Sequence, residues 1–175
     1  MRIFVSILFL IFSFTSAFAE SNAYFTPSLE CENNLIKRID NAQKSIDAAI
    51  YAINNKDVIK ALKRAHKRGV KIRILTDRLQ AGQRTSKVKD IHEYGINIRV
   101  HSKNKIEHNK FAVFDFKEVL TGSYNWTEPA SKKNSENCIF INRNKKAVRE
   151  YHDRFNYLWQ INTRKSSEKW FKRRK

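Results

Sequence analysis

The stretch HNKFAVFD, residues 108–115, places three polar side chains that can do chemistry in an otherwise apolar run. Side chains alternate between the two faces of a strand, so His108 and Lys110 share one face and Asp115 lies on the other. A neutral imidazole beside an ammonium suits a phosphate ester, because the lysine holds anionic oxygens while the histidine attacks phosphorus or moves a proton. A His-x-Lys pair alone is weak evidence, since two surface residues at a strand start are common.

Two downstream segments carry further polar groups that suit a phosphate site. In LTGSYNWT, Ser123 and Asn125 share a face if the chain is extended, and hydroxyl and amide groups are neutral donors for phosphate oxygens. Gly122 allows the backbone to approach a ligand closely. In KNSENC, Glu136 begins another strand, where a carboxylate is placed to bind one ring nitrogen of His108 and fix its tautomer. Each segment alone also fits a turn, a strand edge or a solvated acid.

Taken together, these positions resemble the HKD signature of the phospholipase D superfamily. The matching residues are His108, Lys110, Asp115, then Gly122, Ser123 and Asn125, and finally Glu136. The upstream runs YFTPS, KSIDAAIYAI and ALKRAHKRGVKIRILTD are similar to that family's first strands and helices, so the resemblance covers about residues 23–159. In size and in its single copy of the motif, the chain is most similar to small exported bacterial members, which are called either phospholipase D or endonuclease.

The resemblance implies a role for each residue of the signature. His108 would be the nucleophile and form a covalent phosphohistidine. Lys110 and Asn125 would bind the phosphate oxygens, with Ser123 close by. Glu136 would orient His108.

Asp115 is assigned a supporting role, because its strand parity is opposite to that of His108. Members of the family need no metal and no other cofactor is expected, which agrees with a sequence that shows no cluster of metal ligands.

The chain contains one copy of the motif, whereas the proposed chemistry requires a second group that transfers a proton. In a two-step reaction one histidine attacks, while another group protonates the leaving oxygen and later activates water. The remaining histidines lack a lysine at the same spacing, and they are His66, His92, His101 and His152. We therefore expect a two-fold homodimer that brings two His108 side chains to one phosphate.

Residues 1–19 have the three-part layout of a secretory signal peptide. Arg2 forms a short positive region, residues 3–14 are apolar, and Ala17-Phe18-Ala19 is a cleavage site. This layout predicts a secreted or periplasmic protein that begins at Glu20, with an uncleaved N-terminal anchor as the alternative.

The charge of the chain points to anionic partners. Without residues 1–19, which contain one arginine and no acid, 34 basic and 17 acidic residues remain, a formal charge of +17. Such an excess favours a phospholipid or anionic membrane surface, and it equally favours nucleic acid. Phospholipase D activity is the preferred interpretation from the resemblance, and a nonspecific nuclease with the same site is the alternative. A non-catalytic anion-binding module is disfavoured, because every expected active-site position is filled.

Alternating strand and helix patterns predict an α/β layered domain with a mixed, mostly parallel sheet flanked by helices on both faces. Strands are predicted at 23–26, 45–52, 70–76, 96–100, 109–116, 119–122 and 137–141. Helices are predicted at 30–43, from a cap at 54–55 to about 67, at 86–94 and at 145–159. The predicted domain covers 20–163, and the basic tail 164–175 is expected to be a solvated end, with contact to a phosphate backbone or a membrane as alternatives.

Three further residues each allow two structural interpretations. Cys31 and Cys138 fit either a disulfide or two separate buried thiols. Trp126, beside the motif, is interpreted as a core anchor rather than as a platform for a base or a lipid.

Overall fold

The computed structural model describes residues 19–173, so nearly all of the predicted signal peptide lies outside the described residues. The strands are β1 (Glu20–Thr26), β2 (Ser45–Ile50), β3 (Lys71–Thr76), β4 (Asn97–Val100), β5 (Lys110–Phe114), β6 (Glu118–Gly122) and β7 (Glu136–Asn142). The helices are α1 (Glu30–Asn41), α2 (Lys56–Lys67), α3 (Arg78–Ala81), α4 (Val88–Glu93), α5 (Glu128–Lys132), α6 (Lys145–Ile161) and α7 (Arg164–Lys172).

The strands form one mixed sheet in the order β1-β7-β6-β5-β2-β3-β4. Helices flank this sheet, so the predicted α/β layered class is confirmed. The expectation that most pairings are parallel is wrong, because only β2–β3 and β3–β4 are parallel and the other four pairings are antiparallel. Strand β1 contributes to this departure from a mostly parallel sheet, because it is an outermost strand that pairs antiparallel with β7 and does not lie beside β2.

Helices cover both faces of the sheet. On one face, α1 and α2 contribute Leu35, Ile39, Val58 and Leu62 to the main core, which also contains Trp126. Trp126 is 1% exposed, as expected of a core anchor. On the other face, α6 packs Phe155, Leu158 and Trp159 against residues of β2, β3 and β5. None of the helices described between residues 19 and 173 is long and apolar enough to cross a membrane.

The two ends of the strands form two edges with different side chains. At one edge of the sheet five strands end, namely β1, β2, β3, β4 and β6, and β5 and β7 begin. We call it the His108 edge, because His108 lies there, two residues before β5. The opposite edge holds the β5–β6 turn, and we call it the Asp115 edge. Since β5 and β7 are antiparallel to β2 and β6 respectively, residues far apart in sequence meet at each edge.

The basic tail differs from its prediction. Residues 164–172 form helix α7 instead of a solvated end, with Thr163 accepting a hydrogen bond from the Ser166 amide at its N-cap. Phe171 is buried against the main core, and the Ser167 hydroxyl accepts a hydrogen bond of 3.0 Å from the Val100 amide of β4. The buried Phe171 and Ser167 dock this basic helix, while most of its charged side chains stay in water.

Two short helices, α3 and α5, lie in segments where the sequence predicts neither a helix nor a strand. Asp77 caps α3 and Thr127 caps α5, each through a side-chain oxygen that accepts a backbone N–H. The two cysteines are joined: a disulfide links Cys31 of α1 to Cys138 of β7, with 5.9 Å between their Cα atoms.

Candidate active site

His108 lies two residues before β5 and is exposed to solvent. The ring packs edge-on against Tyr51, with 4.6 Å between the ring centroids. Among the described residues, no hydrogen bond occupies either ring nitrogen. The imidazole is therefore restrained by an aromatic contact while its lone pair stays available to a ligand, as a nucleophile requires.

Lys110 lies half-buried one pleat further along β5, on the same side as His108. Its ammonium donates a 2.7 Å hydrogen bond to the His108 carbonyl oxygen and lies 4.9 Å from the centroid of the Tyr51 ring. Burial lowers the pKa of Lys110 below its ordinary value, and the negative charges of Glu136 and Glu107 oppose that shift. An ammonium with reduced hydration gains more from an incoming anion than one in open water.

Ser123 follows β6 and faces β7 across the His108 edge. Its hydroxyl donates a 2.6 Å hydrogen bond to Glu136 and accepts one of 3.0 Å from the Asn137 amide. Gly122 explains how the two strands come this close. An added Cβ at Gly122 would collide with the Asn137 carbonyl oxygen and lie 2.6 Å from the Asn137 side-chain oxygen. The glycine thus permits a close approach to a neighbouring strand, whereas the sequence suggested an approach to a ligand.

Glu136 is half-buried and held by groups other than His108. Its second carboxylate oxygen accepts a 3.0 Å hydrogen bond from the Asn134 side chain, and its amide donates to the Thr26 hydroxyl at 3.0 Å. Among the described residues no hydrogen bond joins Glu136 to His108. The proposed orienting role of Glu136 therefore stays a prediction, and within one chain the observed partners of the carboxylate are Ser123 and Asn134.

Asn125 lies beside Ser123 on the same side of an extended segment. Tyr124 and Trp126, the alternating neighbours, are buried in the core, whereas Ser123 and Asn125 are half-buried. The burial pattern thus confirms the predicted shared face. The Asn125 side-chain oxygen is buried and lacks a hydrogen-bond partner among the described residues. Its side-chain amide donates to no acceptor within residues 19–173, so the phosphate-binding role of Asn125 stays a prediction.

Asp115 lies at the opposite edge of the sheet, far from the other residues of the signature. Its carboxylate accepts backbone hydrogen bonds from Gln43, Lys44 and Ser45, at 2.7–3.2 Å. Burial acts to raise the pKa of Asp115, but these hydrogen bonds outweigh it and lower the pKa below its ordinary value. Asp115 thus ties the β5–β6 turn to the start of β2, which agrees with a supporting role. It lies beyond the end of β5 with a φ of 52°, so the length of the strand, and not strand parity, separates it from His108.

Sequence reasoning missed two residues near the site. Tyr51 follows β2 and contacts both His108 and Lys110. Glu107 is 1% exposed, and one of its carboxylate oxygens accepts a 2.5 Å hydrogen bond from Asn109. A tyrosine at the end of an apolar run looks like any other core residue, and only the antiparallel pairing of β2 with β5 brings it to the histidine.

The other histidines and acids form no metal site in the part of the chain that the structure describes: no group of three or more His, Cys, Asp or Glu side chains is arranged to hold an ion. His101 is buried rather than a plain loop residue. One ring nitrogen accepts from the Arg78 amide at 3.0 Å, and the other lies 3.0 Å from the Asn104 carbonyl oxygen.

Comparison with known proteins agrees with this geometry. Residues 35–159 match the family model described as "Cardiolipin synthase, PLD-like domain". Phospholipase D from Rickettsia prowazekii (strain Madrid E) is 37% identical over 123 residues, which cover 70% of this chain and 60% of that protein. Mitochondrial cardiolipin hydrolase from Xenopus tropicalis is 34% identical over 119 residues, covering 68% of this chain and 56% of that protein. The chain thus spans about 60% of the length of such curated relatives.

A solved structure matches more completely. Nuc from Salmonella typhimurium, described as a phospholipase D family member, superposes with a TM-score of 0.79 at 30% identity. The superposition covers 83% of this chain and 97% of that one. The family model, the identity to these relatives and the shared fold lead to one conclusion: the chain belongs to the phospholipase D superfamily, and its described residues form a single PLD-like domain.

Proposed function

We propose that the protein is a secreted phosphodiesterase that hydrolyses the head-group ester of phospholipids and releases phosphatidate and a free alcohol. The observation that carries this proposal is the pair at the start of β5. The imidazole of His108, whose ring nitrogens make no hydrogen bond within residues 19–173, lies beside the partly desolvated ammonium of Lys110, and the ring of Tyr51 contacts both groups. Several Rickettsia relatives bear the name phospholipase D, which supports lipid as the substrate.

The reaction takes two steps. A ring nitrogen of His108 attacks phosphorus, the bond from phosphorus to the head-group oxygen breaks, and the departing alkoxide receives a proton from a general acid. Water then attacks the phosphohistidine, the bond between nitrogen and phosphorus breaks, and the water proton passes to the same second group. Lys110 and Asn125 offset the charge on the phosphate oxygens in both steps.

The second group is supplied in this proposal by His108 of another copy of the chain. Four large apolar side chains on the His108 edge, each 43–65% exposed, support a protein contact there: Phe25, Leu29, Leu79 and Ile106. A two-fold axis through this edge would place the two imidazoles on opposite sides of one phosphate.

Mixing subunits tests the dimer. If every site needs two His108 side chains, refolding wild type with an equal amount of H108N should reduce activity to about half that of the same wild-type amount alone, because mixed dimers are inactive. Unchanged activity, together with a monomer in sedimentation, would show that one chain is sufficient.

The substrate is tested with the purified protein, phosphatidylcholine vesicles and plasmid DNA, with H108N as control. We expect wild type to release choline, H108N to be inactive, and excess chelator to have no effect, since the proposed steps use no metal. A nonspecific nuclease is the alternative, because the formal charge of +18 suits a nucleic-acid backbone equally well. Cleavage of plasmid with intact vesicles would select the nuclease.

Export is proposed on two observations. Residues 1–19 have the signal-peptide layout, and the Cys31–Cys138 disulfide is typical of oxidising compartments. Fractionation of expressing cells, with N-terminal sequencing of the protein, should find it outside the cytoplasm and beginning at Glu20. A cytoplasmic protein with reduced cysteines would contradict this proposal.

A further inference from the structure

Tyr51 is the one described residue whose ring contacts both His108 and Lys110. The His108 ring meets it edge-on at 4.6 Å, and the Lys110 ammonium lies 4.9 Å from its centroid. We infer that Tyr51 is a positioning residue that sets the geometry of the nucleophile and of the phosphate-binding lysine together. This inference rests on the phosphodiesterase function proposed above.

The two catalytic side chains have few other restraints. Neither ring nitrogen of His108 is hydrogen-bonded among the described residues, and the Lys110 ammonium has one hydrogen bond, to the His108 carbonyl oxygen. An exposed imidazole without a fixed contact samples several rotamers, and each attack on phosphorus would first have to select one of them. The Tyr51 ring removes this freedom from His108, and its π face favours a charged ammonium near it.

Tyr51 is itself fixed at three points. Its amide donates to the Asn109 carbonyl oxygen at 2.9 Å, and its carbonyl oxygen accepts from the Thr76 hydroxyl at 3.2 Å. Its hydroxyl accepts a hydrogen bond of 2.9 Å from the Gln80 side chain. The last bond is the only one of the three made by the side chain, so Gln80 determines where the ring can lie.

Asp77, which is fully buried, supports Tyr51 indirectly through Gln80. One oxygen of Asp77 accepts the amides of Leu79 and Gln80 and so starts α3, the helix that presents the Gln80 side chain. The other oxygen accepts the Glu107 amide at 3.1 Å, immediately before His108. One buried carboxylate therefore fixes both the helix that holds Tyr51 and the backbone that carries the nucleophile, which is the arrangement expected of a second layer of support.

The chain offers a matched control in Tyr94. This tyrosine is also half-buried, with the Lys63 ammonium 4.6 Å from its ring centroid and the His66 ring edge-on at 6.0 Å. It lies at the end of α4, on the side of the sheet where β4 begins, away from His108. Replacing either tyrosine by leucine removes the same kinds of contact, but only Y51L removes them from the active site.

The test measures hydrolysis of the soluble diester bis(p-nitrophenyl) phosphate by full-length variants. We expect Y51L to lower kcat/KM about 100-fold, mostly through kcat, because a misplaced reacting group costs about that much. Y51F, which keeps the ring, should stay within about threefold of wild type, since it loses one hydrogen bond. Y94L should equal wild type. Equal losses in Y51L and Y94L, or a Y51L rate within threefold of wild type, would overturn the inference.

A double-mutant cycle separates positioning from general damage to the fold. If Gln80 acts only through the Tyr51 hydroxyl, Q80L should lower kcat/KM about threefold in the wild-type background and cause no further loss in the Y51F background. A full additional loss in the Y51F background would contradict the proposed connection.

Binding of inorganic phosphate, followed by calorimetry, keeps this inference separate from the proposed reaction. We expect Y51L to weaken phosphate binding while Y94L does not, because Lys110 loses its placement only in Y51L. If wild type binds phosphate and cleaves no diester, the proposed function fails, while the comparison of Y51L with Y94L still decides the role of Tyr51. Equal phosphate affinity in these two variants would overturn that role.

Discussion

The Ser123 hydroxyl donates a 2.6 Å hydrogen bond to Glu136, and this pair joins the end of β6 to the start of β7. The bond uses the only proton of the hydroxyl, and the same oxygen accepts a hydrogen bond from the Asn137 amide. In one chain Ser123 thus holds the carboxylate that the signature assigns to catalysis, and it contributes to phosphate binding only if this hydrogen bond is shared or exchanged.

Replacing Ser123 by alanine should therefore disturb Glu136 first. S123A leaves the Asn137 amide and one Glu136 oxygen without their partner, so we expect a loss of about 1–3 kcal/mol in the free energy of unfolding. Activity should fall at least about tenfold, since the carboxylate loses its fixed position. S28A is a suitable control, because the Ser28 hydroxyl likewise donates one hydrogen bond, to the Phe25 carbonyl oxygen at 2.7 Å, and accepts one from the Glu30 amide at 3.2 Å, but it holds no carboxylate. Urea unfolding and diester hydrolysis measure both effects, and normal activity in S123A would rule out this role.

How far the sequence predicts the site depends on the range of each interaction. Period-two alternation predicts that His108 and Lys110 share one side, and the Tyr51 ring contacts both, because alternation along a strand is a local property of the chain. Asp115 is separated from them by the length of β5, since it lies beyond that strand with a φ of 52°. Alternation could not show that Glu136 contacts Ser123 or that Tyr51 contacts His108. Those contacts depend on which strands become neighbours, and strand order is set by packing of the whole sheet.

The dependence on strand order also explains the errors in the predicted fold. Alternating elements correctly predicted a mixed sheet covered by helices, but β1 pairs with β7 more than 100 residues away, and no local pattern reveals that partner. Helix α7 was missed because its composition is dominated by charge, whereas the buried Phe171 decides where the helix docks.

Removing the charge of Glu136 should shift the alkaline limb of the pH–rate profile. Burial lowers the pKa of Lys110, and the negative charges of Glu136 and Glu107 partly restore it. In E136Q one of these charges is lost, so the pKa of Lys110 falls further. Activity needs the ammonium and is lost as pH rises through its pKa, so the alkaline limb of E136Q should lie at lower pH than that of wild type.

The pH dependence of kcat/KM from pH 6 to 11 measures this shift. E118Q is the control, because Glu118 forms an ion pair with Arg38 and begins β6 at the Asp115 edge, away from Lys110. An unchanged alkaline limb in E136Q, at reduced activity, would mean that Lys110 does not set that limb.

Gly122 should be far less replaceable than Gly69. Both have positive φ, +140° and +87°, which other residues rarely adopt. A Cβ at Gly122 also collides with the backbone of Asn137, whereas a Cβ at Gly69 meets no atom within 4 Å. We expect G122A to lose at least about 3 kcal/mol of unfolding free energy from strain and overpacking together, and G69A to lose about 1–2 kcal/mol. Similar midpoints of urea unfolding for the two variants would contradict the collision.

The disulfide should contribute substantially to stability, because its cysteines are 107 residues apart. A cross-link that closes a loop of this length restricts the unfolded chain and typically adds about 2–4 kcal/mol. We expect the double variant C31S/C138S and reduced wild type to unfold at similar, lower denaturant concentrations. The double variant should be insensitive to reductant. Wild type that keeps its midpoint in reductant would show that the bond is absent or does not contribute.

Asp115 should make the protein sensitive to acid. Backbone hydrogen bonds lower its pKa in the folded state below the ordinary value of 3.8, although burial acts in the opposite direction. A carboxylate with a lowered folded pKa contributes stability that is complete above its unfolded pKa and is lost as pH falls towards the folded value.

D115N removes this charge, and asparagine tolerates the positive φ of 52° at this position, so the backbone stays unstrained. We expect D115N to be less stable than wild type at pH 7 and the difference to shrink below about pH 4. Unfolding by urea between pH 2.5 and 7 measures it, and a difference that stays constant with pH would show that Asp115 acts through shape and not through charge.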